Sequence, residues 1–389
     1  MNLILSIILI AVVTAVACSI PGTFLVLRRM SMITEGVSHS ILPGLVLAMM
    51  IFGTQRAPIL VLGPALMGLA LVILVEAIHR TGLLAGDAPL GVIFPALFSI
   101  GVIIVSRRYA GVPLSENSVL IGDINLAALT QLRVGGTAIG PRTLYVMAAI
   151  LLVNLGFTVA LFKELKITTF DPGLASSAGI RPAIIHYTFM ALVSVTIVGA
   201  FEAVGAILVV GLLIAPAATA YLLCRTLRGM LITSAICATV SALLGFVLAY
   251  LLDSATSATM AMIMGLFFLL ALVFAPRTGL LAKRRTRRRR RIDFATTLLV
   301  LHLIHHAEGE RNSPACTAEG VMAHINWAPE FAGEVIQRAV AEGVITEHHN
   351  VLMPTLRGRS RCRSVMPWEG CEDPAADGAP AGQTIEEQR

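Results

Sequence analysis

Residues 30–44 read MSMITEGVSHSILPG, a polar interruption between two strongly apolar segments. Glu35 and His39 stand four apart within it. On a helix that spacing stacks both side chains on one face, where a carboxylate oxygen and an imidazole nitrogen can reach one cation. Pro43 and Gly44 follow, where the chain commits to an apolar run. Ionisable groups at the start of a membrane segment are costly unless paired or functional. The plain alternative is that the two residues are solvated at the interface or bond one another, because Glu and His at this spacing are common on ordinary helices.

Composition decides the setting. Of 389 residues 56% are hydrophobic and only 13% charged, and the mean hydropathy of +0.83 is too high for a soluble protein of this length. The chain reads as an integral membrane protein. Its apolarity fills residues 1–281, stops at a basic run and gives way to a polar tail, which implies two regions. The run KRRTRRRRR at 283–291 holds eight of the 29 basic residues, so the net charge of +6 is local. Directly after an apolar segment such a block reads as a cytoplasmic stop touching anionic head groups, with a nucleic-acid patch as the rival. The cysteines (Cys18, Cys224, Cys237, Cys316, Cys362, Cys371) show neither CxxC nor zinc-ribbon spacing, so neither a disulfide framework nor a structural cysteine-zinc site is expected. The N-terminus lacks a basic n-region and its apolar run is long enough to span, unlike a cleaved signal.

A helix crossing the hydrocarbon core needs about 20 apolar residues. Candidates are residues 3–27, 37–52, 58–75, 89–105, 143–162, 183–201, 204–223, 230–252 and 255–275. Pro43 and Pro95 interrupt two of them, so eight spans with one re-entrant piece is the alternative to nine. Under nine spans Arg28 and Arg29, His79 and Arg80, Lys163 and Lys166, Arg225 and Arg228, and the basic run share one side, which reads as cytoplasmic. Arg56, Arg107, Arg108, Arg133 and Arg142 then lie outside, as does a long connection, 107–142, containing Asp123 and Asn125. Residues 163–182, KELKITTFDPGLASSAGIRP, are too polar to span. Asp171 reads there as a helix cap, Pro172 as a first-turn proline and Gly179 as a stop, giving a short cytoplasmic docking helix or a passive loop. In FEAVGAILVVGLLIAPAATA at 201–220, the small residues Gly205, Gly211, Ala217 and Ala218 are expected to let helix backbones approach, and Pro216 to bend the segment.

Four stretches in this order, GTFLVLRRMSMITEGVSHSILPG, GDAPLGVIF, KITTFDPGLASSAGI and VGAILVVGLLIAPAATA, make residues 15–276 resemble the membrane permeases of bacterial ABC-type uptake systems for zinc, manganese and iron. That family usually carries Asp at the place of Glu35, with His four residues on, and the pair is associated with metal passage; Glu keeps the carboxylate but is one methylene longer. The resemblance implies that Phe170, Asp171, Pro172 and Gly179 belong to a coupling helix moved by a separate ATPase subunit, and it implies an extracytoplasmic metal-binding protein that delivers the ion. No GxxxxGK[ST] stretch occurs, so the chain has no phosphate-cradling loop of its own.

The tail departs from a bare permease. Residues 293–307, 317–325 and 329–341 read as helices and GVITEHHNVLMPTLRGR as a hairpin, which is winged-helix order. About 65 residues resemble the DNA-binding domain of diphtheria-toxin-repressor-like metal regulators. The third helix carries Glu330, Glu334 and only Arg338 as a cation, so nucleic-acid binding is not expected and a docking or regulatory role is. His302 and His306 have the spacing that can chelate one transition metal; they, His305, His348 and His349 otherwise read as solvated. From residue 367 the composition is that of a disordered end.

The expected architecture is therefore an all-α polytopic membrane protein of eight or nine spans with a small cytoplasmic winged-helix-like domain. Its divisions are a permease domain at 1–281, a basic linker at 282–291, the winged-helix-like domain at 292–360 and a disordered tail at 361–389. The expected function is a bacterial inner-membrane permease subunit of an ATP-driven importer of manganese, zinc or iron, working with a second permease copy or related subunit. Carboxylate plus imidazole suits all three metals, and they are cargo; no permanently bound cofactor is expected. Two rivals are weaker: a secondary metal transporter would need more intramembrane carboxylates than Glu76, Glu164, Glu202 and Asp253 near the span ends, and a membrane-tethered metal-responsive regulator would need a basic reading surface.

Overall fold

The computed structural model describes residues 3–52, 57–84, 86–108, 124–134, 137–276, 278–307, 316–348 and 350–365. Expectations resting on Arg56, Asp123, His349 and residues 366–389 lie outside them. The chain divides into two units, Met1–Leu280 and Leu281–Arg389.

The first unit is a bundle of helices: α1 (Leu3–Leu27), α2 (Met32–Phe52), α3 (Ala57–Arg80), α4 (Ala88–Arg108), the short α5 (Ile124–Leu129), α6 (Arg142–Ala160), α7 (Phe162–Phe170), α8 (Pro172–Ser177), α9 (Pro182–Val204), α10 (Ala206–Leu223), α11 (Leu227–Leu252) and α12 (Thr256–Phe274). Nine helices among the described residues are long and apolar enough to cross a membrane. Helices satisfy their own backbone groups, which hydrocarbon cannot do. Among the described residues the bundle also carries one short antiparallel hairpin, β1 (Gln131–Val134) with β2 (Thr137–Pro141), and is otherwise helical as expected. Within the connection expected to be external, α5 buries Ile124, Ala127 and Ala128.

No re-entrant piece is found among the described residues. Pro43 lies inside α2 and Pro95 inside α4, and both helices continue past them. The second span also starts five residues before its expected beginning, because its polar residues are absorbed by the helix itself. Thr34 donates to the Ser31 carbonyl (2.7 Å), Ser38 to Thr34 (2.8 Å) and Ser40 to Val37 (2.7 Å). Hydroxyls bonded back to the preceding turn can be buried without an unmet donor.

Helix α1 is the hub, packing against α6, α9, α10 and α11. A Cβ on Gly22 would overlap the Leu213 carbonyl oxygen of α10, so only glycine allows this approach. Buried polar groups tie helices together: Asn154 donates to the Ala17 carbonyl (2.9 Å) and to Thr196 Oγ1 (3.0 Å), and Ser194 donates to the Ala65 carbonyl (2.9 Å). The stretch 201–220 is two helices. Gly205, buried and with φ +83°, marks the break between α9 and α10, a backbone conformation that L side chains resist. At the half-buried Gly211 a Cβ would meet the Met264 side chain at an ordinary 3.5 Å. Pro216 and Ala217 are buried within α10, and Ala218 is half-buried.

The second unit has its own core, built from Leu299, Leu303, Val335, Ile345 and Leu352 among others. Its elements are α13 (Leu280–Ala307), α14 (Ala318–Ile325), α15 (Pro329–Ala341), the antiparallel hairpin β3 (Ile345–His348) and β4 (Val351–Pro354), and α16 (Leu356–Val365). Thr317 makes one further bridge to Val351. The basic run, expected as a linker, is part of α13. Two of its arginines face α15: Arg288 pairs with Glu334 at 3.0 Å, and the Arg291 guanidinium lies 4.4 Å from the Phe331 ring centre. Residues 361–365, expected in the disordered end, complete α16.

Candidate functional site

Glu35 and His39 occupy the first and second turns of α2, on one face. Glu35 is exposed and His39 half-buried. The His39 ring is held by α4, stacked on Phe94 (centroids 5.4 Å, planes 21° apart) and edge-on to Phe98 (6.0 Å). Two aromatic walls fix the imidazole's plane and leave the carboxylate beside it at the surface of the bundle. Among the described residues no group of three His, Cys, Asp or Glu is set to hold a metal ion.

Beneath α2, a cavity of about 310 Å³ is lined by Arg28, Ile33, Glu76, His79, Asp87 and His186 with their neighbours. Here the ends of α1, α3, α7 and α9 meet. Arg28 donates from Nε to Thr169 Oγ1 (3.1 Å) and from Nη2 to Thr168 Oγ1 (3.3 Å), and its guanidinium lies 4.9 Å from the Phe189 ring centre. Nη1 stands 3.4 Å from His186 Nδ1. A guanidinium only donates, so His186 Nδ1 accepts and the imidazole proton sits on Nε2, 3.6 Å from Glu76 Oε2. Glu76 Oε1 accepts from Arg80 at 2.8 Å. Burial pushes the Arg28 guanidinium down to about 10, which leaves it charged at neutral pH. One signal for this cluster lies in the sequence: His186 is an ionisable residue inside an apolar span. The partners Thr168 and Thr169 carried none, because a threonine near a helix end is common in any loop.

Thr168 and Thr169 lead directly into α8. The Asp171 carboxylate accepts from the Leu174 amide (2.9 Å), Pro172 opens the helix, and Gly179 ends it at φ +79°. Phe170 and Leu174 are exposed, 62% and 58%, a pair of large apolar side chains presented outward from a polar segment. Cap, first-turn proline and glycine stop all lie where the sequence placed them.

The family profile described as ABC-3, the ABC 3 transport family, matches residues 1–275. The zinc transport system membrane protein TroD of Treponema pallidum is 36% identical over 92% of this chain and 97% of its own length. That match, over 356 residues, is longer than the first unit and so takes in part of the second. The manganese transport system membrane protein MntD of Bacillus subtilis is 38% identical over 70% of this chain and 92% of its own. Among solved structures, PsaBC from Streptococcus pneumoniae in complex with Fab superposes with a TM-score of 0.59 at 27% identity, covering 72% of this chain and 94% of that one.

Proposed function

The chain belongs to the ABC 3 transport family, and from that premise we propose how its residues divide the work of a metal permease. It is the permease subunit of an ATP-driven importer of divalent transition metals; it is not an enzyme, and ATP hydrolysis resides on a separate subunit. Manganese, zinc and iron are the cargo class, as the donor set of Glu35 and His39 suits.

The observation that carries the site assignment is the exposed Glu35 carboxylate on a spanning helix beside a His39 ring clamped by Phe94 and Phe98. A carboxylate facing hydrocarbon is costly, so this face of α2 meets a second permease, a copy or a related subunit, which completes the metal's shell. Alternating access then proceeds by rocking the two permeases about that face. An extracytoplasmic binding protein hands over the ion. Phe170, Asp171, Pro172 and Gly179 form the coupling helix that the ATPase engages, with Phe170 and Leu174 as its contact surface and Arg28 as the tie to α1. The second unit is a cytoplasmic winged-helix-like module. Its third helix keeps its one cation, Arg338, in internal pairs with Asp293 (3.2 Å) and Glu342 (3.0 Å), which supports a regulatory or docking role over groove reading. Metal accumulation in cells lacking their own uptake systems, one metal at a time, tests the assignment. Glu35→Ala should abolish accumulation with the protein still inserted; normal accumulation removes the pair from the path.

A further inference from the structure

Three imidazoles meet in the second unit outside anything the transport reading uses. His302 and His306 lie one turn apart on α13, and His324 comes from the last turn of α14. Their ring centroids form a closed triangle with sides of 4.5 Å (His302 to His306), 5.6 Å (His302 to His324) and 5.5 Å (His306 to His324). Three imidazoles bound to one tetrahedral zinc, with metal–nitrogen bonds of about 2.0 Å, have centroids about 5.2 Å apart. The triangle is already that size. A second observation concerns orientation. His324 Nδ1 lies 3.0 Å from the Gly320 carbonyl oxygen, which can only accept, so Nδ1 carries the proton and Nε2 keeps its lone pair. Ligating histidines usually donate their other ring N–H to a backbone carbonyl or carboxylate in this way, which fixes tautomer and ring direction.

We propose that His302, His306 and His324 form a three-histidine transition-metal site that fastens α13 to α14. The donor atoms are not yet gathered as a closed set, and rotation of the partly exposed rings about their side-chain bonds brings them together. Three neutral imidazoles with the fourth position left to water favour zinc-class ions; manganese and magnesium, which prefer oxygen, bind such a set more weakly. Because the ligands come from two helices of one small unit, occupancy stabilises that unit against unfolding.

The test uses the purified full-length chain in detergent, stripped of metal and carrying Glu35→Ala and His39→Ala, so that the transport pair is silent and its own assignment is not at stake. Cobalt(II) is titrated while its visible absorption, intense only in tetrahedral coordination, is followed, and zinc is then added to displace it. One equivalent of tetrahedral cobalt, displaced by zinc, is expected. Affinity should fall at least about tenfold in His324→Ala and in the double variant His302→Ala with His306→Ala, and should hold in His348→Ala. The residues replaced are exposed or half-buried and leave the core of the unit intact. Zinc should also raise the unfolding temperature of the second unit, and His324→Ala should remove that rise. Absence of the tetrahedral band, or an unchanged titration in His324→Ala, overturns the proposal.

Discussion

Replacing Arg28 with Ala separates a structural charge from a mechanical tie. The side chain makes one well-formed hydrogen bond, to Thr169 at 3.1 Å, and two longer ones, at 3.3 Å and 3.4 Å, and it stacks on Phe189. A hydrogen bond to a charged group contributes about 1.5–3 kcal/mol net, and a partly buried cation over a ring about 1 kcal/mol. Burial of the guanidinium opposes both, as its lowered pKa records. The net loss is about 2 kcal/mol, localised at the junction of α1 with the end of α7. A bundle of this size tolerates that loss. It is nonetheless enough to raise the population of a detached α7–α8 segment by a factor of up to about 30. Lysine should not restore the tie, because an ammonium cannot span Thr168, Thr169 and His186 as a planar fork does. The assay is proteoliposomes containing the permease and its ATPase, with metal accumulated and ATP hydrolysed measured together. Arg28→Ala and Arg28→Lys should insert normally, leave the partner ATPase hydrolysing ATP, and move severalfold less metal per ATP. A wild-type ratio in both would show that the cluster at the end of α1 plays no part in coupling.

Three further outcomes follow from the same structure. His39→Ala should abolish uptake without loss of inserted protein, while Glu35→Asp keeps it, because one remaining ligand competes poorly with hydration; radiometal uptake normalised to membrane protein checks both. Asp171→Ala, which removes the acceptor of the Leu174 amide and costs about 1 kcal/mol of helix stability, and Gly179→Pro, which cannot adopt φ +79°, should each lower metal-stimulated hydrolysis by the partner ATPase; a passive loop would leave hydrolysis unchanged. In the second unit, Arg338 and Arg361 hold the Glu342 carboxyl below the usual carboxylate range. A depressed folded pKa means this stabilisation is present above the unfolded value and is lost as pH falls through the folded one. Unfolding of the unit below about pH 4.3 should thus ease in wild type, and Glu342→Gln should remove about 1 kcal/mol or less of neutral-pH stability together with that part of the acid dependence.

What could be read from residues alone follows from where the physics is local. The spans were legible because hydrocarbon imposes one length and one composition. The helix at 172–177 was legible because a cap, a first-turn proline and a glycine stop act within a few residues of themselves. Helix starts in polar stretches were not, since the hydroxyls of Thr34, Ser38 and Ser40 are polar in composition yet satisfied by their own helix. The close approach at Gly22 was not legible, because the backbone it meets belongs to Leu213, nearly two hundred positions on. The Arg28 cluster was hidden for the same reason, its four elements being joined only by the fold. For Glu35 and His39, spacing identified the shared face, but the clamp of Phe94 and Phe98 needed the packing of α4 on α2.

The most direct test of the account is metal uptake into proteoliposomes holding this permease with and without its ATPase, one metal at a time, with ATP supplied on the cytoplasmic side. The account predicts accumulation of at least one of manganese, zinc and iron(II) that requires both ATP and the ATPase and disappears in Glu35→Ala. Undiminished accumulation without the ATPase would contradict it and make the chain a channel or a secondary transporter.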